Sequence, residues 1–135
     1  MQIRTHLSIQ RKWVGQALEV ETDHFARASL VTTDAMVVDE RGLVHGGFSF
    51  GLADYAAMLA VNHPNVVLTS VRVNFVHPVK VGDILLALAR VVEKKENKRK
   101  VQVEIRVADH AVLEGEFYCV ILEKHVFDVV GSSEN

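Results

Sequence analysis

The segment from Phe48 to Val61 reads FSFGLADYAAMLAV and holds thirteen uncharged residues and one acid, Asp54. An unpaired carboxylate in apolar surroundings is costly, because burial strips the water from its charge. Such an acid either opens onto a cleft or pairs with a base such as Arg72. If it is desolvated, its pKa rises and it becomes a better proton acceptor near neutral pH. Just before this segment stands His45-Gly46-Gly47. Glycines at a helix start admit close approach to the backbone and leave N–H groups free. Those donors, at the positive end of the helix dipole, suit an anion or a developing oxyanion. Alternatively, the pair forms only a tight turn into the helix.

Spacing decides how the two features can work together. Gly46 and Asp54 are 54 − 46 = 8 positions apart, roughly 12 Å along a helix at about 1.5 Å per residue. One chain cannot bring both to one carbonyl carbon. Two such helices, antiparallel across a two-fold axis, can set Gly46 of one subunit against Asp54 of the other. The pair makes a site only in a dimer.

The elements that must position these residues follow from hydrophobic periodicity. Residues 1–15 carry little pattern and suit a short helix or arm. Ala17–Glu21 and Phe25–Thr32 read as strands around a turn at Thr22-Asp23, with Arg27 and Ser29 on one face and Ala26, Ala28 and Leu30 on the other. Phe48–Val61 reads as a helix that stops at Asn62-His63-Pro64. Its apolar residues run all the way round, as in a buried helix. Ser70–Phe75, Ile84–Val92, Val101–Val107 and Val112–Leu122 read as four further strands. His77-Pro78 and Gly82-Asp83 punctuate a turn. The charge run Glu93–Lys100 reads as a solvated hairpin tip, in which Lys94, Lys95, Lys98, Arg99 and Lys100 could alternatively meet phosphates. Gly131–Asn135 is expected to be disordered. One helix buried on all sides needs a sheet curled around it, and its open side needs a second copy.

The chain has 135 residues, 49% hydrophobic and 24% charged, with a formal net charge of −2. That suits a single domain, residues 1–135, able to bury a core without disulfides. The charge gives no general drive towards nucleic acid or an anionic membrane. The lone Cys119 lies in an apolar run and reads as a small buried hydrophobe. His6, His24, His63, His110 and His125 show no metal-ligand spacing, so no metal is expected. His77, before Pro78, reads as a turn residue. The N-terminal residues lack an unbroken apolar stretch, and no segment reaches the length of a membrane span. A soluble, cytoplasmic protein without membrane contact is expected.

The segment Asp39-Glu-Arg-Gly42-Leu-Val-His45-Gly46-Gly47, followed by Leu52-Ala53-Asp54, resembles the PaaI-like branch of the hotdog-fold thioesterases. Ser70-Val-Arg-Val-Asn74-Phe75 and Pro78-Val-Lys-Val-Gly82-Asp83 resemble the same family's strand and turn. The likeness covers roughly residues 15–123. It implies an α+β hotdog fold, with an antiparallel sheet of five to six strands around one long central helix. It implies a homodimer with composite sites, often paired into a homotetramer. It also implies hydrolysis of an acyl-CoA without metal or cofactor, coenzyme A being part of the substrate. By position, the Gly46 N–H would polarise the thioester carbonyl. Asp54 would act as general base on water, or as nucleophile through an anhydride. Ser70 would help place the water or the carboxylate, and His45 would hold the loop or assist near the thioester. Gly47, Phe48, Tyr55, Met58, Arg72 and Asn74 are expected around the substrate, with Phe75 also shaping its pocket.

One position departs from the family pattern. Many members have Asn where this chain has Asp39, and an ionised carboxylate cannot donate the amide's hydrogen bond. Asp39 is then a protonated partner, a second base, or simply a turn cap. Two other functions compete with the thioesterase reading. A hotdog enoyl-CoA hydratase resembles a pattern with Asp and His five apart before the helix, whereas Asp39 and His45 are 45 − 39 = 6 apart. A non-catalytic acyl-binding or regulatory module is the other.

Overall fold

The computed structural model describes residues 1–133. A short helix, α1 (Arg11–Val14), leads into β1 (Gln16–Glu21) and β2 (Phe25–Val31). A 3-10 turn at Asp34–Met36 precedes the long helix α2 (Gly46–Val61), and four strands follow: β3 (Val66–Phe75), β4 (Ile84–Lys95), β5 (Lys98–Val107) and β6 (His110–Ile121). A last helix, α3 (Val126–Ser133), closes the described chain.

The six strands form one sheet in the order β1-β2-β4-β5-β6-β3, every neighbouring pair antiparallel. The chain leaves β2 through α2, returns along the far edge as β3, then fills the middle with β4, β5 and β6. The sheet curls about α2, which touches all six strands. Alternation supplies the inner face: Ala26, Ala28 and Leu30 of β2, Leu85, Ala87 and Ala89 of β4, and Val101, Val103 and Ile105 of β5 are buried. Alanines face each other across the contact, with Ala53, Ala56, Ala57 and Ala60 of α2 wholly buried. Small side chains on both layers let the helix sit close to the sheet. Leu52, Met58 and Phe117 fill the wider spaces, and burying each is worth about 1.5–3 kcal/mol.

Helix α2 is fastened at both ends. His45 is its N-cap, with Nδ1 accepting from Gly47 N–H at 2.7 Å. Asn62 ends it in the left-handed conformation, φ 53°, with its N–H donating to the Met58 carbonyl. The Asn62 side chain, wholly buried, accepts from Arg4 N–H at 2.7 Å and donates to the Gln2 carbonyl and to Thr22 Oγ. It pins the N-terminal arm and the β1–β2 turn to the helix end.

The structure corrects four local expectations. Strand β3 begins at Val66, four residues before Ser70, because Val66, Val67 and Leu68 pair with Ile121, Val120 and Cys119. Strand β2 ends at Val31, one residue short of the expected Thr32. Glu93–Lys100 is a solvated hairpin tip as expected, but β4 and β5 run beyond their expected ends and leave only Glu96-Asn97 as the turn. Helix α3 was not expected, and it includes residues 131–133. The remaining part of the expected disordered tail, residues 134–135, lies outside the described residues. Among the described residues, no helix is long and apolar enough to cross a membrane.

Candidate active site

Helix α2 is buried on every side but one. Ser49, Leu52, Ala53 and all residues from Tyr55 to Val61 are buried. Gly46, Gly47, Phe50, Gly51 and Asp54 are not. At about 100° per residue these five fall along one stripe, with Asp54 near its centre. Gly47 and Asp54 are seven residues, about two turns, apart. The remaining uncovered residue, Phe48, leans on Trp13, with ring centroids 6.0 Å apart.

On this stripe the Asp54 carboxylate is half-hidden. Its Oδ1 is shut off from solvent and has no hydrogen-bond partner among the described residues. Burial pushes its carboxyl up to about 6. Arg72 does not relieve it. Opposite residues of an antiparallel pair share a face, and Ser70, Arg72 and Asn74 stand opposite Tyr118, Glu116 and Glu114. The residues of β6 that turn towards α2 alternate with these: Leu113, Phe117 and Cys119, all buried. Phe117 packs on Phe50 of the helix at 5.7 Å. Ser70, Arg72 and Asn74 therefore lie on the outer face of the sheet, with the sheet between them and Asp54 of the same chain.

At the helix start, His45 takes up the Gly47 N–H, and Phe48 N–H donates to the His45 carbonyl. The Gly46 N–H donates to nothing among the described residues, and Gly46 is exposed. Because His45 Nδ1 is an acceptor, the neutral ring carries its proton on Nε2. The Phe75 ring lies over Gly46, so close that a β-carbon there would stand 3.3 Å from Cε1. Beside it is a cavity of about 370 Å³ lined by Gly46, Ser49, Val44, Phe75, Pro78 and Val79, among others. An apolar pocket thus opens beside one free backbone donor.

The other expected site residues scatter. Asp39 Oδ1 accepts from Arg41 N–H at 3.0 Å and from Leu43 N–H at 3.1 Å, which makes it the cap of its turn. Tyr55, buried, faces the N-terminal arm, with His6 6.3 Å from its ring. Met58, also buried, lies one turn beyond Asp54 on the same side. Gly51 was missed in the reading from sequence. It sits on the open stripe, where a β-carbon would meet only the Trp13 carbonyl at 4.0 Å. A mid-helix glycine costs about 1 kcal/mol against alanine, which was the available signal that this face must stay clear. Cys119 was read only as core. It is buried, and burial together with the Asp54 charge pushes its thiol up to about 12. Among the described residues, no three His, Cys, Asp or Glu side chains gather as metal ligands.

A six-stranded antiparallel sheet curled about one long helix defines the hotdog class. The chain belongs to the Thioesterase superfamily, which it matches over residues 41–114. Among solved structures, an uncharacterized protein from Pyrococcus horikoshii is 52% identical with a TM-score of 0.92, over 95% of this chain and 98% of that one. The PaaI protein of E. coli, from the phenylacetic acid degradation operon, shares the fold: TM-score 0.74, 23% identity, 82% of this chain and 80% of that one. Among curated proteins, a methylthioribose-1-phosphate isomerase of Aquifex aeolicus is 51% identical over 122 residues, 90% of this chain and 26% of that protein. The transcription factor FapR of Caldanaerobacter subterraneus is 30% identical over 111 residues, 82% of this chain and 56% of that protein. The chain thus spans about a quarter of the first curated relative and just over half of the second.

Proposed function

We propose that this chain is the subunit of an acyl-CoA thioesterase in which Asp54 of one copy and the Gly46 N–H of another act on the same carbonyl. The observation that carries this reading is the buried, unpartnered Oδ1 of Asp54 on the one open stripe of α2. A carboxylate held this way is poised to take a proton. The thioester oxygen accepts a hydrogen bond from the Gly46 N–H, which polarises the carbonyl. Asp54 removes a proton from water as the water oxygen attacks the carbonyl carbon. The tetrahedral oxyanion is held by the same N–H. Its collapse breaks the C–S bond, and the thiolate leaves with the proton returned from Asp54. Direct attack by the carboxylate, through an anhydride, gives the same products.

The dimer in this proposal rests on strand β3. It is an edge strand of ten residues, and Val71 and Phe75 on its helix-facing side are 37% and 54% exposed. A long exposed edge carrying apolar side chains invites pairing with a second copy. Antiparallel β3–β3 pairing would bring the open stripes of two α2 helices together in opposite directions. Ile84 and Leu86, exposed on β4, offer apolar surface for joining dimers into a tetramer.

The likeness to a transcription factor supports a second reading, the non-catalytic acyl-binding or regulatory module. The hydratase alternative gains nothing from the geometry, since Asp39 is engaged with its own turn. A panel of acyl-CoAs separates the readings. Thiol release above the buffer rate is expected for a thioesterase. Binding by calorimetry with no release from any acyl-CoA would replace the enzyme with the module.

A further inference from the structure

The tip of the β4–β5 hairpin is regular structure, and its register creates an electrostatic problem. Lys94 stands opposite Arg99, and Lys95 opposite Lys98. Like charges directly opposite each other across strands are destabilising. The first pair is compensated: Asp23 meets Arg99 Nε at 2.8 Å and Lys94 Nζ at 3.2 Å. Lys100 is also answered, by Glu116 at 2.8 Å. Lys95 and Lys98 form no ion pair among the described residues. The tip is nevertheless held firmly, because Arg99 donates to the Glu96 and Lys98 carbonyls at 2.8 Å each as well as to Asp23. An uncompensated pair of cations on a fixed frame suits an external dianion.

The two lysines also share a cavity. A groove of about 300 Å³ is lined by Lys95, Lys98, Lys100, Tyr118 and Thr69, with Cys119 also on its wall. Among its lining side chains are four cations, Lys95, Lys98, Arg99 and Lys100, against one acid, Glu93. Tyr118 is exposed and presents a ring, with Lys100 Nζ 5.9 Å from its centroid. Exposed aromatic rings beside cations are platforms for nucleobases. Thr69 carries the groove to the β3 edge, where the β3–β6 register shifts between Leu68 and Ser70 and Thr69 Oγ donates to the Tyr118 carbonyl. Cys119, on the groove's wall, is buried and lies on the side of β6 that turns towards α2.

We propose that this groove holds the phosphorylated adenosine end of a coenzyme A thioester, with Lys95 and Lys98 clamping a phosphate and Tyr118 stacking on the base. The inference rests on the acyl-CoA reading above, but it assigns the nucleotide end of the substrate to residues that take no part in the chemistry. The hairpin then selects a nucleotide-bearing thioester over a bare one.

The test compares the wild-type protein with the double variant Lys95→Ala/Lys98→Ala. Each is titrated calorimetrically with coenzyme A and with 3′-phosphoadenosine 5′-phosphate, and assayed with an acyl-CoA and with the matching acyl-pantetheine. The double variant should bind both nucleotides at least about 10-fold more weakly, the worth of one hydrogen bond to a charged group. Its KM for acyl-CoA should rise by a similar factor while kcat, and both constants for acyl-pantetheine, stay put. Without ligand its melting temperature should equal or exceed that of wild type, because a like-charge pair has gone. Unchanged nucleotide affinity in the double variant overturns the clamp, whatever the protein hydrolyses. Nucleotide binding that weakens in a protein releasing no thiol upholds the clamp and sinks only the hydrolase reading.

Discussion

Asp54 and Gly46 are each left unfinished by the chain that carries them. Among the described residues the acid has an oxygen without a partner and the glycine has a donor without an acceptor, and this shared incompleteness suggests a common substrate. Asp54→Asn should lower kcat by roughly 10²-fold or more, the scale of a lost general base. Gly46→Pro removes the N–H at a position where proline is tolerated. It should cost about 10²–10³ in kcat, as for one oxyanion donor. The active form of Asp54 is ionised and its carboxyl is pushed up to about 6. Hydrolysis by the wild type should therefore fall as pH drops through about 6, read from a pH profile of kcat. Stability follows the opposite slope. The native pKa lies above the ordinary value of 3.8, so the folded chain holds more protons than the unfolded one between the two. Folding is weakened as pH rises through that window and is relatively stronger below it. Asp54→Asn should remove this penalty and raise the unfolding midpoint near pH 8. Each ~1 kcal/mol recovered is worth roughly 3–5 °C in a chain of this size. A variant that is both slower and more stable would mark Asp54 as a residue kept for chemistry.

At the scale of elements, helix α2 was legible and strand β3 was only partly so. The all-round apolar pattern from Phe48 to Val61 announced a buried helix, and Asn62-His63-Pro64 announced its end. Strand β5 alternates strictly enough to be read alone, and β4 was legible from its nearly continuous apolar run. Sequence periodicity could not tell which face of β3 meets the helix, because the register shift at Thr69 resets the alternation. Ser70, Arg72 and Asn74 were expected at the substrate from the family resemblance, and within one chain they stand on the outer face of the sheet. The charged hairpin was legible as a solvated tip, but not its strand ends: Lys and Glu favour solvent, yet ladder pairing carries the strands through them. Which N–H is free at the helix start was hidden too, since only the geometry shows His45 Nδ1 taking Gly47 and sparing Gly46. If β3 is the dimer edge, Val71→Asp with Phe75→Asp should shift the protein to monomer in sedimentation and abolish hydrolysis. The β2–β4–β5 ladder should keep its far-ultraviolet signature.

At the scale of the molecule, each chain of the proposed dimer offers half of two sites. Mixed refolding of Asp54→Asn and Gly46→Pro chains should restore part of the lost rate, because each heterodimer rebuilds one intact pair. Recovery should be absent from either homodimer alone. A folded mixed dimer with no recovery would sink the composite site.

The fastening of α2 at both ends has a further consequence. His45 at one end and Asn62 at the other hold the helix as a rigid ruler, and Asp54 and Gly46 are fixed marks on it. Neither group can be moved towards its substrate by flexing within one chain. The adjustable quantity is how the two rulers lie side by side, which is set by subunit docking. Catalytic competence would then depend on concentration: dilution below the dissociation constant of the dimer should switch the rate off while every chain remains folded.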